Sequence, residues 1–297
     1  MLRQALLAVI VSLATVAVPA YGQDVKLRMK FKEGDKFYVE DVSKSKETIG
    51  IAGQTVNAEN KTTMITSFEV KKVTSNDLVT VMKVENVKVE TDAPGGQLAK
   101  ITEKLKGGTF TITMTQEGKV KKFEGYNEWA KGIVGDDEDQ TKLLKMFISE
   151  DLLMNAVAQA FGFIPDKAVK KGDTWTREHK YPMGAFGEFK VNSTYTYDGQ
   201  QDNRDVVTEK QSLRYVAPKA GTEVLGLFKL QRADLKCENA RGKYVFDNDK
   251  GRLDTATLTM TVSGSLTVDI AGQQQQLEMT VATTSTSRVL DSNPMQK

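Results

Sequence analysis

The sequence predicts a mainly β fold of the α+β class: long, curved antiparallel sheets in two related halves, with amphipathic helices packed on the apolar face. Three observations carry that expectation. First, Ala256, Leu258, Met260, Val262, Leu266, Val268 and Ile270 alternate with polar residues from Thr255 to Asp269, and Gly264 fills the gap in the apolar series. Period two over this length means a strand with one buried and one wet face, roughly 50 Å long, which must twist and curl. Second, the stretch from Tyr126 to Phe161 breaks the β rhythm with helical spacing. Third, short glycine-containing segments separate the alternating runs, so hairpins and antiparallel pairing are expected rather than helical crossovers.

The elements follow in order. Residues 1–22 read as a cleavable signal peptide. One arginine (Arg3) precedes an apolar run from Ala5 to Val18, and cleavage after Ala20 or Gly22 satisfies the small-residue rule. The run is too short and wrongly flanked for a spanning helix. Val25, Leu27, Met29 and Phe31 alternate with Lys26, Arg28, Lys30 and Lys32, which predicts a strand with a basic face. Ile51-Ala52-Gly53-Gln54 reads as a hairpin tip, and Phe110, Ile112 and Met114 mark a further strand. Gln97 to Lys106 predicts a short amphipathic helix through Leu98, Ile101 and Leu105.

Asp136 or Asp137 is placed to cap a helix containing Leu143, Leu144, Phe147 and Ile148. Ser149 is placed to cap a second, containing Leu152, Leu153, Ala156, Val157, Ala160 and Phe161, which ends at Gly162 and Pro165. Their wide apolar stripes need a partner, and the apolar sheet face is the obvious one. Phe189, Val191, Tyr195 and Tyr197 resume the strand pattern. After Ile270 the chain turns at Ala271-Gly272-Gln273, with the glutamine run Gln273 to Gln276 as a polar hairpin tip, and returns through Leu277, Met279 and Val281.

Lys32-Glu33-Gly34-Asp35-Lys36-Phe37 is echoed by Lys170-Lys171-Gly172-Asp173-Thr174-Trp175, and Gly118-Lys119-Val120 by Gly251-Arg252-Leu253, in the same order and at similar separation. The reading is a duplication: a first β-rich half over 23–165 with a helical segment at 126–162, a second half over 166–292, and a tail at 293–297. Each Gly-Asp pair is expected to make a turn, its aspartate bonding local backbone and the aromatic two positions on entering the core.

The segment Phe163-Ile164-Pro165, with Lys167, Val169, Gly172, Asp173 and Trp175, resembles a family of functionally uncharacterised, exported bacterial proteins. The alternating strands and interior helix more distantly resemble the half-barrel of periplasmic lipoprotein carriers. Neither resemblance implies particular functional residues.

The catalytic inventory is thin, and no catalytic residue, metal ligand or cofactor is assigned. The formal net charge of +2 gives no field that favours nucleic acid. Cys237 is the only cysteine, so no internal disulfide is available, and it is expected to be a small buried hydrophobe. His179 is the only histidine and is expected to be solvated on a strand. No nucleophile elbow, phosphate loop or dinucleotide fingerprint appears. Asp136 to Asp139 reads as an acidic first turn, and Asp247 to Gly251 as a hairpin turn lacking the glutamate of a calcium loop. Trp129 and Trp175 read as core residues. Asn60-Lys61-Thr62 and Asn192-Ser193-Thr194 match a glycosylation pattern that is frequent by chance.

A second basic region comprises Lys100, Lys104, Lys106, Lys119, Lys121 and Lys122. Either basic region has the chemistry to touch anionic lipid or an envelope polymer, or simply to protect a solvated edge. The expected function is that of an exported, periplasmic or secreted envelope protein binding an apolar or amphipathic ligand or an envelope partner. The alternatives are a carboxylate-based hydrolase acting on envelope polymer, a structural or interaction protein with no small ligand, and an outer-membrane barrel. The helical block argues against the barrel. A structure whose helices fill the sheet completely would remove the ligand reading.

Overall fold

The structure, a computed structural model, describes residues 24–51, 53–92, 102–224 and 228–296. The signal peptide and most of the helix expected at Gln97–Lys106 lie outside these residues; Thr102 and Glu103 are helical and lead into a turn ending at Gly107. Five strands come first: β1 (Lys36–Ile51), β2 (Gln54–Val73), β3 (Leu78–Thr91), β4 (Thr109–Met114) and β5 (Val120–Glu124). Helices α1 (Tyr126–Val134), α2 (Glu138–Phe147) and α3 (Glu150–Phe161) follow. Seven strands complete the chain: β6 (Thr174–Pro182), β7 (Glu188–Gln201), β8 (Arg204–Val216), β9 (Thr222–Val224), β10 (Phe228–Asp247), β11 (Arg252–Ile270) and β12 (Gln273–Leu290).

The strands form one 12-stranded sheet in the order β5-β4-β3-β2-β1-β12-β11-β10-β8-β7-β6, with β9 beside β10. Every pairing is antiparallel. The first meander runs outward from β1 to one edge; the second starts at the other edge and runs inward until β12 pairs with β1, from Tyr38↔Leu290 to Ile51↔Leu277. The two stretches therefore share a continuous sheet. Its ends, β5 and β6, are not paired with each other, so the sheet is open and not a closed barrel. Helix α3 lies against both β5 and β6 and spans that seam. Asp166 just beyond it takes Lys119 from the β4–β5 turn at 3.0 Å and Arg177 of β6 at 3.1 Å.

The two Gly-Asp turns are hydrogen-bonded alike. Asp35 accepts from the Lys32 amide, and Asp173 from the Lys170 amide, at 2.7 and 3.1 Å. Gly34 donates to Val70 of β2 and Gly172 to Tyr197 of β7, at 2.9 and 2.8 Å. Both glycines have positive φ, 86° and 92°, which explains the residue type. Phe37 then stacks on Phe68, its neighbour across β2, and Trp175 on Tyr195, its neighbour across β7.

Four expectations need correction. Val25 to Phe31 is extended but joins no strand: Val25 exchanges bonds with Val169, Met29 donates to Gln116 and Lys30 to Gly251. Alternation survives because any extended backbone has period two, so Leu27 and Met29 are buried while the basic residues are exposed. Gln273 to Gln276 are not a tip but the first residues of β12, paired with β11. The turn is Ala271-Gly272 alone, with φ of 51° and 84°, the two-residue geometry that matches strand twist. The helical block holds a separate α1, which starts after Gly125 and stops at Gly135. Finally, the apolar face of β11 is buried only at Leu266 and Val268; Ala256, Leu258, Met260 and Val262 remain half-exposed.

The caps are as the sequence predicts. Asp137 accepts from the Gln140 amide at 2.9 Å and Ser149 from the Leu152 amide at 3.1 Å. The main core joins Phe110, Ile112, Met114, Trp129, Leu144 and Val157 to Phe163, Tyr195, Tyr244 and Phe246. A second cluster, around Phe189, Val191, Leu230, Leu235, Leu266 and Val268, lies further along the same sheet face, since Val191 and Tyr195 share the phase of β7. Gly264 is where β10 presses closest: a Cβ there would sit 2.0 Å from the Asp234 carbonyl oxygen, at φ 150°.

Candidate functional site

Between α3 and the sheet lies a cavity of about 410 Å³. The helix presents Leu153, Ala156, Val157 and Ala160 to it, one face at i, i+3, i+4 and i+7 spacing. The sheet presents Val39, Met64, Phe68, Ala256, Leu258 and Val289, and Met29 and Phe31 approach from the extended N-terminal segment. Phe110, Phe163, Ile164 and Phe246 lie at its most buried boundary; all four are at most 1% exposed. Small residues contribute to its lining on both the helix and the sheet. Ala156 and Ala160 on the helix and Ala256 on β11 occupy positions where larger side chains would close it. Its volume falls in the ~300–1,000 Å³ range of small-ligand pockets.

One part of the lining is polar. On β1 and β12 the inward series changes from Val39 and Val289 to Asp41 with Ser287, then Ser43 with Ser285, as cross-strand pairs. Ser287 donates to Asp41, and Ser285 donates to Ser43 at 3.0 Å. Burial pushes the Asp41 carboxyl up; the Ser287 hydrogen bond opposes this and the neighbouring Glu40 charge adds to it. On β8, Glu209 is 2% exposed and its two oxygens accept from the Tyr244 hydroxyl at 2.8 Å and Gln211 at 2.9 Å. Burial, reinforced by Glu209, holds the Tyr195 and Tyr244 hydroxyls well above the usual phenol range. Arg252, the one guanidinium in the lining, is bonded to Asp291. Gly242 lets Glu209 sit against β10, because a Cβ there would lie 2.5 Å from its carboxylate.

The residues singled out from sequence fall mostly outside this cavity. His179 is half-buried rather than solvated: it shares the inward phase of β6 with Trp175, its Nε2 is buried without a partner, and burial lowers its proton affinity against the pull of Glu209. Trp129 is buried against Phe110 and Tyr126, and Trp175 is half-buried on Tyr195. Cys237 is half-buried among apolar residues of the second cluster, where burial raises its thiol. Asp136 pairs with Lys131 ahead of α2, and Asp247 accepts from the Lys250 amide in the β10–β11 turn. Asn60 and Asn192 lie inside β2 and β7.

Among the described residues no three His, Cys, Asp or Glu side chains are grouped to hold a metal ion. In the second basic region Lys119 pairs with Asp166, Lys121 with Asp77 and Lys122 with Glu124, all on the surface, while Lys100 lies outside the described residues. On the first, Lys30 bonds the Asn248 carbonyl.

Sequence reasoning missed Asp41, Glu209, Ser285 and Ser287. The available signal was phase: each is a polar residue that follows apolar ones at inward positions of the same strand, as Asp41 follows Phe37 and Val39.

A family model described as "Family of unknown function (DUF6263)" matches residues 59–272, a span that includes the Pro165–Trp175 segment used above. No curated protein matches the chain. Among solved structures it is similar to one described as "Lipid-protein interactions in lipovitellin", at 12% identity over 89% of this chain and 26% of that one, with a TM-score of 0.48. This chain thus spans about a quarter of that protein's length. It is also similar to DynF from the dynemicin biosynthesis pathway of Micromonospora chersina, at 9% identity over 95% and 93% of the chains (TM-score 0.24). A third is a putative outer membrane lipoprotein-sorting protein domain from Vibrio parahaemolyticus, at 10% identity over 82% and 83% (TM-score 0.13). Likenesses this low carry no functional argument.

Proposed function

We propose, from the premise that this chain belongs to the DUF6263 family of unknown function, that it is a non-catalytic binding protein for an amphipathic small molecule. The apolar part of the ligand occupies the cavity between α3 and the sheet, and its polar end meets the rim of β1, β12 and β8. The observation that carries this reading is the cavity itself, about 410 Å³ with an apolar body and a polar side. A sheet closed by its own helices would have filled that volume with side chains. The ends of the sheet are bridged by a helix rather than by strand pairing, so the cavity wall includes an element free to shift without breaking a ladder. Export through residues 1–22 would deliver the protein to the envelope. Among the described residues no helix is long and apolar enough to cross a membrane.

The test is occupancy. The full mature chain, stripped of copurifying material, should bind the uncharged apolar dye phenylnaphthylamine with a fluorescence gain. Ala256→Phe, which fills the cavity from an inward position of β11, should abolish the gain while keeping the thermal midpoint. Equal dye binding by the variant would overturn the proposal and favour an interaction protein with no small ligand. A hydrolase reading draws on one observation, that Asp41 and Glu209 line the same cavity. Both oxygens of Glu209 are already taken by Tyr244 and Gln211, which leaves it poorly placed as a base.

A further inference from the structure

We infer that the ligand's polar end is a hydrogen-bond donor without negative charge, a hydroxyl- or amine-bearing head, and not a carboxylate or phosphate. This inference rests on the cavity reading above and specifies the chemistry of its rim.

The rim carries two carboxylates, Asp41 and Glu209, against a single guanidinium among the described residues. Ser287 spends its proton on Asp41 and Ser285 spends its proton on Ser43, so these two hydroxyls keep only lone pairs for a ligand, while Ser43 keeps a proton to donate. The bond from Ser287 is the one Asp41 makes among the described residues, so this carboxyl retains acceptor capacity. Across the cavity, Glu209 already accepts two bonds. Strand amides offer no anion nest, because β1 and β12 pair along their length at Asp41↔Ser287 and Ser43↔Ser285.

Sites for carboxylate or phosphate use arginine forks, lysines or free backbone amides. Among the described residues no lysine lines this cavity, and its one guanidinium, Arg252, is already paired with Asp291 through one amino group. An anionic head would therefore meet Asp41 and Glu209 with no unpaired cation among the described lining residues, whereas a glycerol-like or amine head would donate into Asp41 and the serine oxygens. Like charges a few ångströms apart in a partly buried site disfavour binding by about tenfold or more.

The experiment uses the full mature chain with bound phenylnaphthylamine and four competitors sharing one dodecyl-length chain, each below its micelle concentration at neutral pH: dodecylglycerol, dodecylamine, laurate and dodecyl phosphate. Dodecylglycerol and dodecylamine are expected to half-displace the dye at about tenfold lower concentration than the two anions. Asp41→Asn should narrow that gap by strengthening the anions severalfold, with dodecylglycerol nearly unchanged. Laurate or dodecyl phosphate competing as well as the others on the native chain would overturn the head-group inference while leaving the cavity reading intact. Failure of the dye and of all four amphiphiles to bind would instead remove the cavity reading itself.

Discussion

Phe163 packs the end of the helical block onto β10 of the second half of the sheet, and truncating it tests that connection. It is 0% exposed. Its ring stacks on Tyr244 with centroids 4.7 Å apart and planes 11° from parallel, and meets Phe246 edge-on at 5.8 Å. Phe→Ala at a buried site costs about 3–5 kcal/mol, the higher end applying where neighbours cannot collapse into the space. Phe163 already borders the cavity, so the void left by Phe163→Ala would merge with it, and the upper part of that range is expected. The figure includes two aromatic contacts of about 0.5–1.5 kcal/mol each. For a chain of this size a loss of about 4 kcal/mol corresponds to a midpoint shift of roughly 8–16 °C. Urea denaturation followed by tryptophan fluorescence measures it, with Phe163→Leu as the control that loses both ring contacts but keeps most of the volume and should cost about 1–3 kcal/mol. The reasoning is refuted if the alanine variant is no less stable than the leucine one.

Two further outcomes follow from the rim. Gly242→Ala places a Cβ 2.5 Å from the Glu209 carboxylate and 3.0 Å from the Tyr244 ring, so it should destabilise by about 1–3 kcal/mol. The penalty should shrink when Glu209 is also changed to Ala; an equal penalty in both backgrounds would show that the close approach to Glu209 is not its cause. Asp41 gives a pH dependence with a definite sign. Burial raises its folded-state proton affinity, so its contribution to stability is complete below the ordinary carboxylate range and declines as pH rises from the unfolded value through the folded one. Asp41→Asn keeps an acceptor for Ser287 and should remove that decline, and denaturation curves across the acid range compare the two chains. A stability difference between them that does not vary with pH would contradict the account.

Much of the architecture could be read from side-chain phase. The β11–β12 hairpin, the β1–β2 tip, the caps at Asp137 and Ser149 and the paired Gly-Asp turns are local. Each depends on residues within a few positions of one another, and the physics that sets them is present in any short window. Where the reading failed, the deciding contacts were distant. Val25 to Phe31 has perfect strand alternation, yet its backbone partners belong to Val169, Gln116 and Gly251, which no periodicity names. The inward position of the His179 imidazole depends on which face of β6 the rest of the sheet covers.

By itself, then, the sequence determined a β-rich chain with a long helical block after its first strands, much of its turn chemistry and the apolar face of its most regular strands, because these are properties of near neighbours and of period. The family resemblance was legible in Pro165 to Trp175 for the same reason. Only the tertiary structure decided that the two meanders meet in one open sheet, that α3 rather than a strand bridges its edges, and that small residues from α3 and β11 line a cavity between them. It also decided that Asp41 and Ser287, separated by most of the chain, stand opposite each other at that cavity's rim. The cause is the β1–β12 ladder, a pairing between the two ends of the chain that fixes side chains by register, and register between distant strands is set by the packing of the whole sheet.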